Sequence, residues 1–142
     1  MKIHLMTIGQ PKLTYAKAGW EEYTKRLGRY HQLRVTHLSD KNNNAVSILA
    51  AAKGTSIVAL VIDGPQLSSP ELSAYLEKQA ILGAELSFII GGPDGLPPEV
   101  ISAAQEQLSF SRLTFPHDLA MVVLAETLYR ASTIAAGQPY HH

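Results

Sequence analysis

The 142-residue sequence contains no cysteine, and this absence excludes several kinds of site. Disulfide bonds, thiolate-bound zinc and cysteine-bound iron–sulfur clusters all require that residue. The six histidines never form an H-x-x-x-H pair, so no histidine-based metal site is expected. The longest apolar run, Leu119 to Ala125, has seven residues and is too short to cross a bilayer. We therefore predict a metal-free cytoplasmic protein that does not enter the membrane.

Two glycine-rich nucleotide-binding signatures are also missing. No G-x-x-x-x-G-K-[ST] segment occurs, and residues 91–96 do not have the G-x-G-x-x-G spacing of a dinucleotide site. A small dehydrogenase, which was one candidate for a chain of this size, is disfavoured for that reason. The ligand of the glycine-rich segment is expected to be something other than a pyrophosphate.

The net charge is zero, but the charges are unevenly distributed. Residues 1–41 carry eight basic and three acidic side chains, whereas the remaining residues carry four basic and nine acidic ones. A basic amino-terminal third indicates contact with a polyanion, and the alternative is an ordinary solvated helix face.

Hydrophobic periodicity predicts alternating strands and helices, which is typical of an α/β fold with a mostly parallel sheet. In the first helix the spacing places Tyr15, Tyr23 and Leu27 on the buried face, with Trp20 at its edge. We predict strands at 3–8, 33–37, 56–62 and 86–90, a short strand or extended loop at 108–114, and helices at 12–30, 45–53, 69–82, 97–105 and 119–135.

The segment around which the chain is organised is Leu86 to Gly95. The apolar run 86–90 suits a strand buried on both faces, and Gly91, Gly92 and Gly95 follow it directly. Glycines allow a sharp turn and close approach of the backbone to a ligand, and ligands of parallel sheets bind beyond the carboxyl ends of strands. The alternative is an ordinary connection between a strand and a helix.

The last predicted helix is apolar on nearly every side, and its only charges between Leu119 and Ala135 are Glu126 and Arg130. Such a helix must be covered all round, and a second subunit can provide part of that cover. We therefore predict a homodimer.

Four segments together resemble the RlmH family: Ile89–Gly95, Leu113–His117, Leu124–Ala131 and Pro139–His141. These are SPOUT-class methyltransferases that act on a pseudouridine of large-subunit (23S) ribosomal RNA. The resemblance extends over the whole chain. It implies one α/β domain over residues 1–142, with a carboxyl-terminal trefoil knot over approximately 86–142, and a homodimer whose S-adenosylmethionine (SAM) sites lie near the subunit interface.

The resemblance also implies which residues contact SAM. Leu60 would line the adenosine pocket, and Gly92 would offer its backbone without a side chain in the way. The remaining contacts would come chiefly from the main chain of one segment, comprising Ser111, Arg112, Leu113, Thr114, Phe115 and Pro116. For Leu60 the alternative is plain core packing, and for Ser111 and Arg112 it is a surface turn.

The implied reaction transfers the SAM methyl group to N3 of pseudouridine. Because N3 carries a proton at neutral pH, a base or a positive group is needed, and His141 is the candidate, with Tyr140 positioning the target base. The alternative is a frayed chain end. The sequence departs from the family here: relatives read His-Pro-Tyr-His followed by Arg or Lys, whereas this chain has Gln138 and His142.

The implied substrate is the assembled ribosome, and basic side chains would contact its RNA phosphates. These are Lys12, Lys17, Lys25, Arg26 and Arg29 of the first helix region, together with His142. Two alternatives remain open: a SPOUT enzyme with another RNA target, and a non-catalytic ribosome-binding module that retains the fold.

Overall fold

The computed structural model describes all residues from Met1 to His142. Its strands are β1 (Lys2–Ile8), β2 (Gln32–Leu38), β3 (Ser56–Leu60), β4 (Leu86–Ile90) and β5 (Glu106–Leu108). Its helices are α1 (Thr14–Leu27), α2 (Ala45–Ala51), α3 (Ser69–Ile81), α4 (Pro98–Ala103) and α5 (His117–Ala135), with a short 3-10 turn at Asp40–Asn42. All strand pairs are parallel, in the order β2-β1-β4-β3-β5, which confirms the predicted α/β class.

Strand β4 lies at the centre of the sheet, and every one of its residues is buried. Alternate side chains of a strand point to opposite faces, so β1 supplies Ile3 and Leu5 to one core and Met6 and Ile8 to the other. The larger core lies between the sheet and helices α1, α3 and α5, and the smaller one lies beneath α2 and α4. None of the helices combines the length and the hydropathy that a bilayer crossing requires.

The segment 108–114 was predicted as a short strand or an extended loop, and it is a loop for all but its first residue. The strand covers only Glu106–Leu108, because Ser109 turns the chain away from β3. The Ser109 N–H donates to the carbonyl oxygen of Pro65 (2.8 Å), and its hydroxyl donates to that of Ile62 (2.6 Å). Residues 109–116 are therefore an extended loop, which was the other form predicted for most of this segment.

The buried face of α1 was predicted only in part: Leu27 is fully buried and Tyr23 packs against the core, as predicted. Tyr15 is 52% exposed, whereas Trp20 is only 6% exposed and packs its ring against His37, 5.6 Å between centroids. The reason is the close approach of α1 to α5, since a Cβ on Gly19 would lie 3.0 Å from Cγ1 of Val122. The contact with a distant helix therefore sets which face of α1 is buried.

Asp118 connects the start of α5 to the segment that precedes α1. Its buried Oδ2 accepts hydrogen bonds from the backbone N–H groups of Leu13 (2.6 Å) and Lys12 (2.9 Å). The Leu13 N–H, followed by that of Lys12, lowers the pKa of the Asp118 carboxyl. The carboxylate therefore stabilises the fold above the usual carboxyl pKa, and this contribution is lost as the pH falls through the lowered value.

We expect Asp118→Ala to lower the free energy of unfolding by about 1–3 kcal/mol at neutral pH, because two backbone donors lose their charged acceptor. Urea denaturation measures this change. Glu77→Ala, at an exposed position of α3, is the control and should change stability by less than about 0.5 kcal/mol. An Asp118→Ala variant as stable as the control would contradict this role.

Candidate functional site

A cavity of about 360 Å³ opens at the carboxyl ends of β3 and β4. Its walls come from the end of β3, the segment after β4, the loop after β5 and the start of α5. Most of the lining is apolar, with a few polar groups at the start of α5 and in the loops. The residues that carry the argument below are Leu60, Gly91, Gly92, Leu113, Phe115 and His117.

The segment 91–95, here called the glycine loop, folds back tightly on itself. The Gly95 N–H donates to the carbonyl oxygen of Gly92 (2.9 Å), and Gly95 has a left-handed φ of 80°. A Cβ on Gly91 would lie 2.5 Å from the carbonyl carbon of Gly95 and 2.7 Å from the nitrogen of Leu96. Because both contacts are with backbone atoms, this turn requires glycine at position 91.

The glycine loop and the loop after β5 meet at this cavity. Of the eight residues predicted to contact SAM, six line it: Leu60, Gly92, Ser111, Leu113, Thr114 and Phe115. Arg112 and Pro116 belong to the same loop but do not line the cavity. The Ser111 hydroxyl accepts a hydrogen bond from the Leu113 N–H (3.0 Å), which shapes the loop locally.

The carboxyl-terminal tail, residues 136–142, folds back along α5. The Tyr140 hydroxyl donates to Oε1 of Glu126 (3.1 Å), and its ring meets that of Tyr129 edge-on at 4.6 Å. Arg130 pairs with Glu126 at 2.8 Å and places Nη1 3.2 Å from Nδ1 of His141. Partial burial, and then hydrogen bonds to Tyr23 and Glu126, raise the pKa of Tyr140 above its usual value.

The contact with Arg130 defines the proton position on His141. A guanidinium group can only donate, so Nδ1 of His141 accepts and the neutral ring carries its proton on Nε2. Neither Tyr140 nor His141 lines the cavity. Glu126, which accepts from Tyr140, and Arg130, which contacts His141, follow His117 by nine and thirteen residues, about 13 Å and about 20 Å along a helix. The structure therefore does not bring the tail and the cavity of the same chain together.

The basic residues predicted to bind RNA do not share one environment. Lys12, Lys17, Lys25 and Arg29 are exposed, as is His142 at the end of the chain. Arg26 is half-buried: its Nε donates to Glu22 (2.7 Å), and its guanidinium lies over the ring of Tyr129, 5.5 Å from the centroid. Arg26 therefore stabilises the contact between α1 and α5, and the other side chains of the set are available to a polyanion.

A group of polar side chains next to the cavity was missed by sequence reasoning. His37 Nδ1 lies 2.6 Å from the Thr7 hydroxyl, which itself donates to the carbonyl oxygen of Gly9 (2.6 Å). Burial lowers the pKa of His37, and the proximity of His117 lowers it further. Their positions at the carboxyl ends of β1 and β2 were a signal, because sites of parallel sheets lie at that edge.

Comparison with known proteins gives a consistent result over the full length of the chain. The family described as "Predicted SPOUT methyltransferase" matches residues 1–141. A protein of Deinococcus deserti named "Ribosomal RNA large subunit methyltransferase H" is 55% identical, over 99% of each chain. Proteins of the same name from Deinococcus radiodurans and Clostridioides difficile are 51% and 39% identical, again over 99% of each chain.

Solved structures resemble the fold at low sequence identity. A methylase family protein from Neisseria gonorrhoeae has a TM-score of 0.63 at 12% identity, covering 99% of this chain and 85% of its own. The TrmH/SpoU tRNA-modifying enzyme of A. aeolicus has a TM-score of 0.52 at 12% identity, covering 99% of this chain and 80% of its own. Both similarities concern the fold alone.

Proposed function

This chain belongs to the SPOUT methyltransferase family, in the group of ribosomal RNA large subunit methyltransferase H, and from that premise we propose that it methylates N3 of a pseudouridine in large-subunit ribosomal RNA. The methyl donor would be SAM. The observation that carries the proposal is the full-length match at 55% identity, in a chain whose glycine loop lines one cavity together with Ser111, Leu113, Thr114 and Phe115. The trefoil knot over approximately residues 86–142 stays a prediction of the family resemblance.

The residues of the cavity fit a donor such as SAM. Its volume of about 360 Å³ lies within the range of small-molecule sites, about 300–1,000 Å³. Leu60, Leu113 and Phe115 offer apolar walls for an adenosine ring. The glycines of the glycine loop present backbone groups without side chains. When bound, SAM supplies a methyl group already activated by its sulfonium, so the protein must mainly hold and orient the reactants.

Isothermal titration calorimetry with SAM tests the donor site. We expect saturable binding and a rise in the melting temperature with SAM concentration, because a ligand that binds only the folded state stabilises it. A non-catalytic ribosome-binding module would bind ribosomes without either response to SAM.

We also infer a homodimer, as the apolar last helix predicted. Large apolar side chains are exposed around the start of α5: Leu13 is 55% and Leu113 is 72% exposed. A second copy placed on this region would cover them. Such a dimer would also bring the tail of one subunit towards the cavity of the other subunit. Within one chain the tail does not reach the cavity. Sedimentation should give twice the 15.4 kDa mass of the chain, and a monomer at working concentration would contradict the dimer.

In this arrangement Tyr140 would position the target base, and His141 would stabilise the negative charge that develops on that base. Removing the N3 proton leaves negative charge shared between N3 and the two flanking carbonyl oxygens. Because Arg130 engages Nδ1 of His141, its Nε2–H remains free to donate to one of those oxygens. A donor aimed at developing charge lowers the barrier, and the nearby Arg130 cation adds to that effect.

The basic face of α1 is proposed to contact ribosomal RNA phosphates. We expect the double variant Lys25→Glu, Arg29→Glu to weaken ribosome binding about 10-fold or more at low salt, because two phosphate contacts become repulsions. Filter binding at several salt concentrations measures the effect. Arg26 is left intact because it stabilises the contact with α5.

The matched control is Lys78→Glu, a single charge reversal on α3 at an exposed position away from α1. SAM affinity should be unchanged in all variants. If the double variant binds ribosomes as the control does, the RNA contact lies elsewhere.

A further inference from the structure

A second cavity, of about 500 Å³, opens at the amino ends of the strands and is here called the amino-edge cavity. Its walls come from the starts of β1, β2 and β4 and from the segment between α2 and β3. Because all strands are parallel, this cavity and the donor site lie at opposite edges of the sheet, about 20 Å apart along the seven-residue β1. The two sites are therefore separate.

A row of polar side chains crosses the sheet at this edge. His4 of β1 is in register with Arg34 of β2 on one side and with Ser87 of β4 on the other. These three side chains share the sheet face of Met6 and Ile89, which belong to the smaller core. His4 and Ser87 are buried, so this face changes from apolar to polar at its amino edge.

The buried His4 holds Arg34 in place. Nη2 of Arg34 lies 3.1 Å from Nδ1 of His4. A guanidinium can only donate, so Nδ1 accepts, and Nε2–H of His4 donates to the Thr36 hydroxyl (2.7 Å). Burial, followed by the nearby Arg34 cation, lowers the pKa of His4 to about 4, so the ring is neutral and accepts at neutral pH. The remaining N–H groups of Arg34 have no partner in the protein.

The charges around the amino-edge cavity are mainly positive. Lys2, Arg34 and Lys53 line it, and Glu85 is the one acid among the lining residues. Lys2 places Nζ 3.3 Å from the Glu85 carboxylate, whereas Arg34 and Lys53 form no ion pair. The cavity therefore has an excess of two positive charges, in a chain whose net charge is zero. A concave surface lined by one sign of charge concentrates ions of the opposite sign.

We propose that the amino-edge cavity is a phosphate-binding site in which Arg34 and Lys53 contact the phosphate oxygens. A guanidinium presents paired N–H groups that fit two oxygens of one phosphate, and a lysine ammonium adds a compact positive charge. The excess of two charges suits this ligand. Only three of the eleven lining residues are hydrophobic, so the cavity recognises the phosphate and offers little to an attached base.

Two sources supply this chemistry, the backbone of ribosomal RNA and free phosphate. The site goes beyond the proposed methyl transfer and does not depend on it, because its residues lie at the opposite edge of the sheet from the donor site. Phosphate binding is therefore measured directly, without an activity assay, and failure of the methyl transfer leaves the result unaffected.

A titration with inorganic phosphate, followed by ¹H–¹⁵N NMR at constant ionic strength, tests the site. We expect saturable shifts of the backbone N–H signals of Gly54 and Thr55, which line the cavity. Arg34→Gln and Lys53→Gln should each weaken phosphate binding about 10-fold or more, because each removes a charge-assisted contact. Lys78→Gln, at an exposed position of α3, is the matched control and should bind as the wild type does. The dispersion of the spectra shows that each variant is folded.

The positioning role of His4 has its own pair of variants. His4→Leu keeps both cations but removes the acceptor of Arg34, and it should weaken phosphate binding about 3- to 10-fold. His4→Gln keeps an acceptor oxygen and should recover most of the affinity. Equal phosphate affinity of a folded His4→Leu variant and the wild type would show that Arg34 needs no support from His4.

A titration with a ten-nucleotide single-stranded RNA distinguishes the two sources. If the source is RNA, the Gly54 and Thr55 signals should move, and Arg34→Gln should reduce the slope of log affinity against log salt by about 0.7. RNA bound only to α1, on the other face of the sheet, leaves these two signals unchanged. In that case a response to phosphate alone assigns the site to free phosphate.

Two results would overturn the proposal. One is the absence of a saturable shift at Gly54 and Thr55 with both phosphate and RNA. The other is a folded double variant Arg34→Gln, Lys53→Gln that binds phosphate as tightly as the Lys78→Gln control.

Discussion

Gly91→Ala is expected to reduce the affinity for SAM about 100-fold. The added Cβ would lie 2.5 Å from the carbonyl carbon and 2.7 Å from the carbonyl oxygen of Gly95. Both are backbone atoms, so the glycine loop must open to relieve the overlap. An opened loop changes the wall of the cavity, and about 2.8 kcal/mol of lost binding corresponds to the expected factor.

The control for this variant is Gly28→Ala at the end of α1. There φ is −62°, and the nearest atom to an added Cβ is 3.4 Å away, so the substitution should be tolerated. Calorimetry with SAM and thermal melting of both variants separate lost binding from lost folding. Tight SAM binding by a folded Gly91→Ala variant would show that the glycine loop does not form the donor site.

His141→Ala is expected to lower the turnover number about 100- to 1,000-fold and to leave SAM affinity unchanged. The reason is that the imidazole Nε2–H, held in place by Arg130, would stabilise charge that develops only as N3 loses its proton. Its distance from the cavity of its own chain means that it contributes nothing to donor binding there. Single-turnover rates on ribosomes, with SAM saturating, measure this change.

Gln138→Ala is the matched control, because the side chain of that exposed tail residue makes no hydrogen bond, and its backbone N–H, which the substitution keeps, donates to the carbonyl oxygen of Thr133 (2.9 Å). Mixed dimers test whether His141 acts in the partner's site. Combining His141→Ala chains with Gly91→Ala chains should restore about a quarter of wild-type activity if each site uses the tail of the other subunit. No recovery on mixing, or a fully active His141→Ala variant, would contradict this role.

The elements near the site were predictable from sequence because their signals are local. The apolar run of β4 ends directly in three closely spaced glycines, and such a pattern determines both a buried strand and a tight turn. The start of α3 also depends on a local signal: the Ser68 hydroxyl accepts from the Glu71 N–H, and the Glu71 carboxylate accepts from the Ser68 N–H. In each case the decisive contacts lie within a few residues along the chain.

What sequence reasoning missed depends on residues distant along the chain. The burial of Trp20 in place of Tyr15 follows from the packing of α1 on α5, about a hundred residues away. The short β5 follows from hydrogen bonds of Ser109 to the segment after β3. The strand order β2-β1-β4-β3-β5 is likewise a property of the whole fold, which hydrophobic periodicity does not contain.

The same distinction between local signals and contacts of distant residues applies to the candidate site. The segments of the donor site were recognisable from the family resemblance, because they are contiguous motifs. His117 belongs to the segment Leu113–His117, but its place in the cavity wall follows from the fold and not from that segment alone. Reasoning from types of residue alone had no means of detecting this.

The most direct test of the account is methyl transfer from isotopically labelled SAM to ribosomes that lack the modification, followed by mapping of the labelled nucleotide. We expect one methyl group per ribosome, on N3 of a pseudouridine in the large-subunit RNA. Label on the small-subunit RNA, on another atom of the base, or on no RNA at all would contradict it.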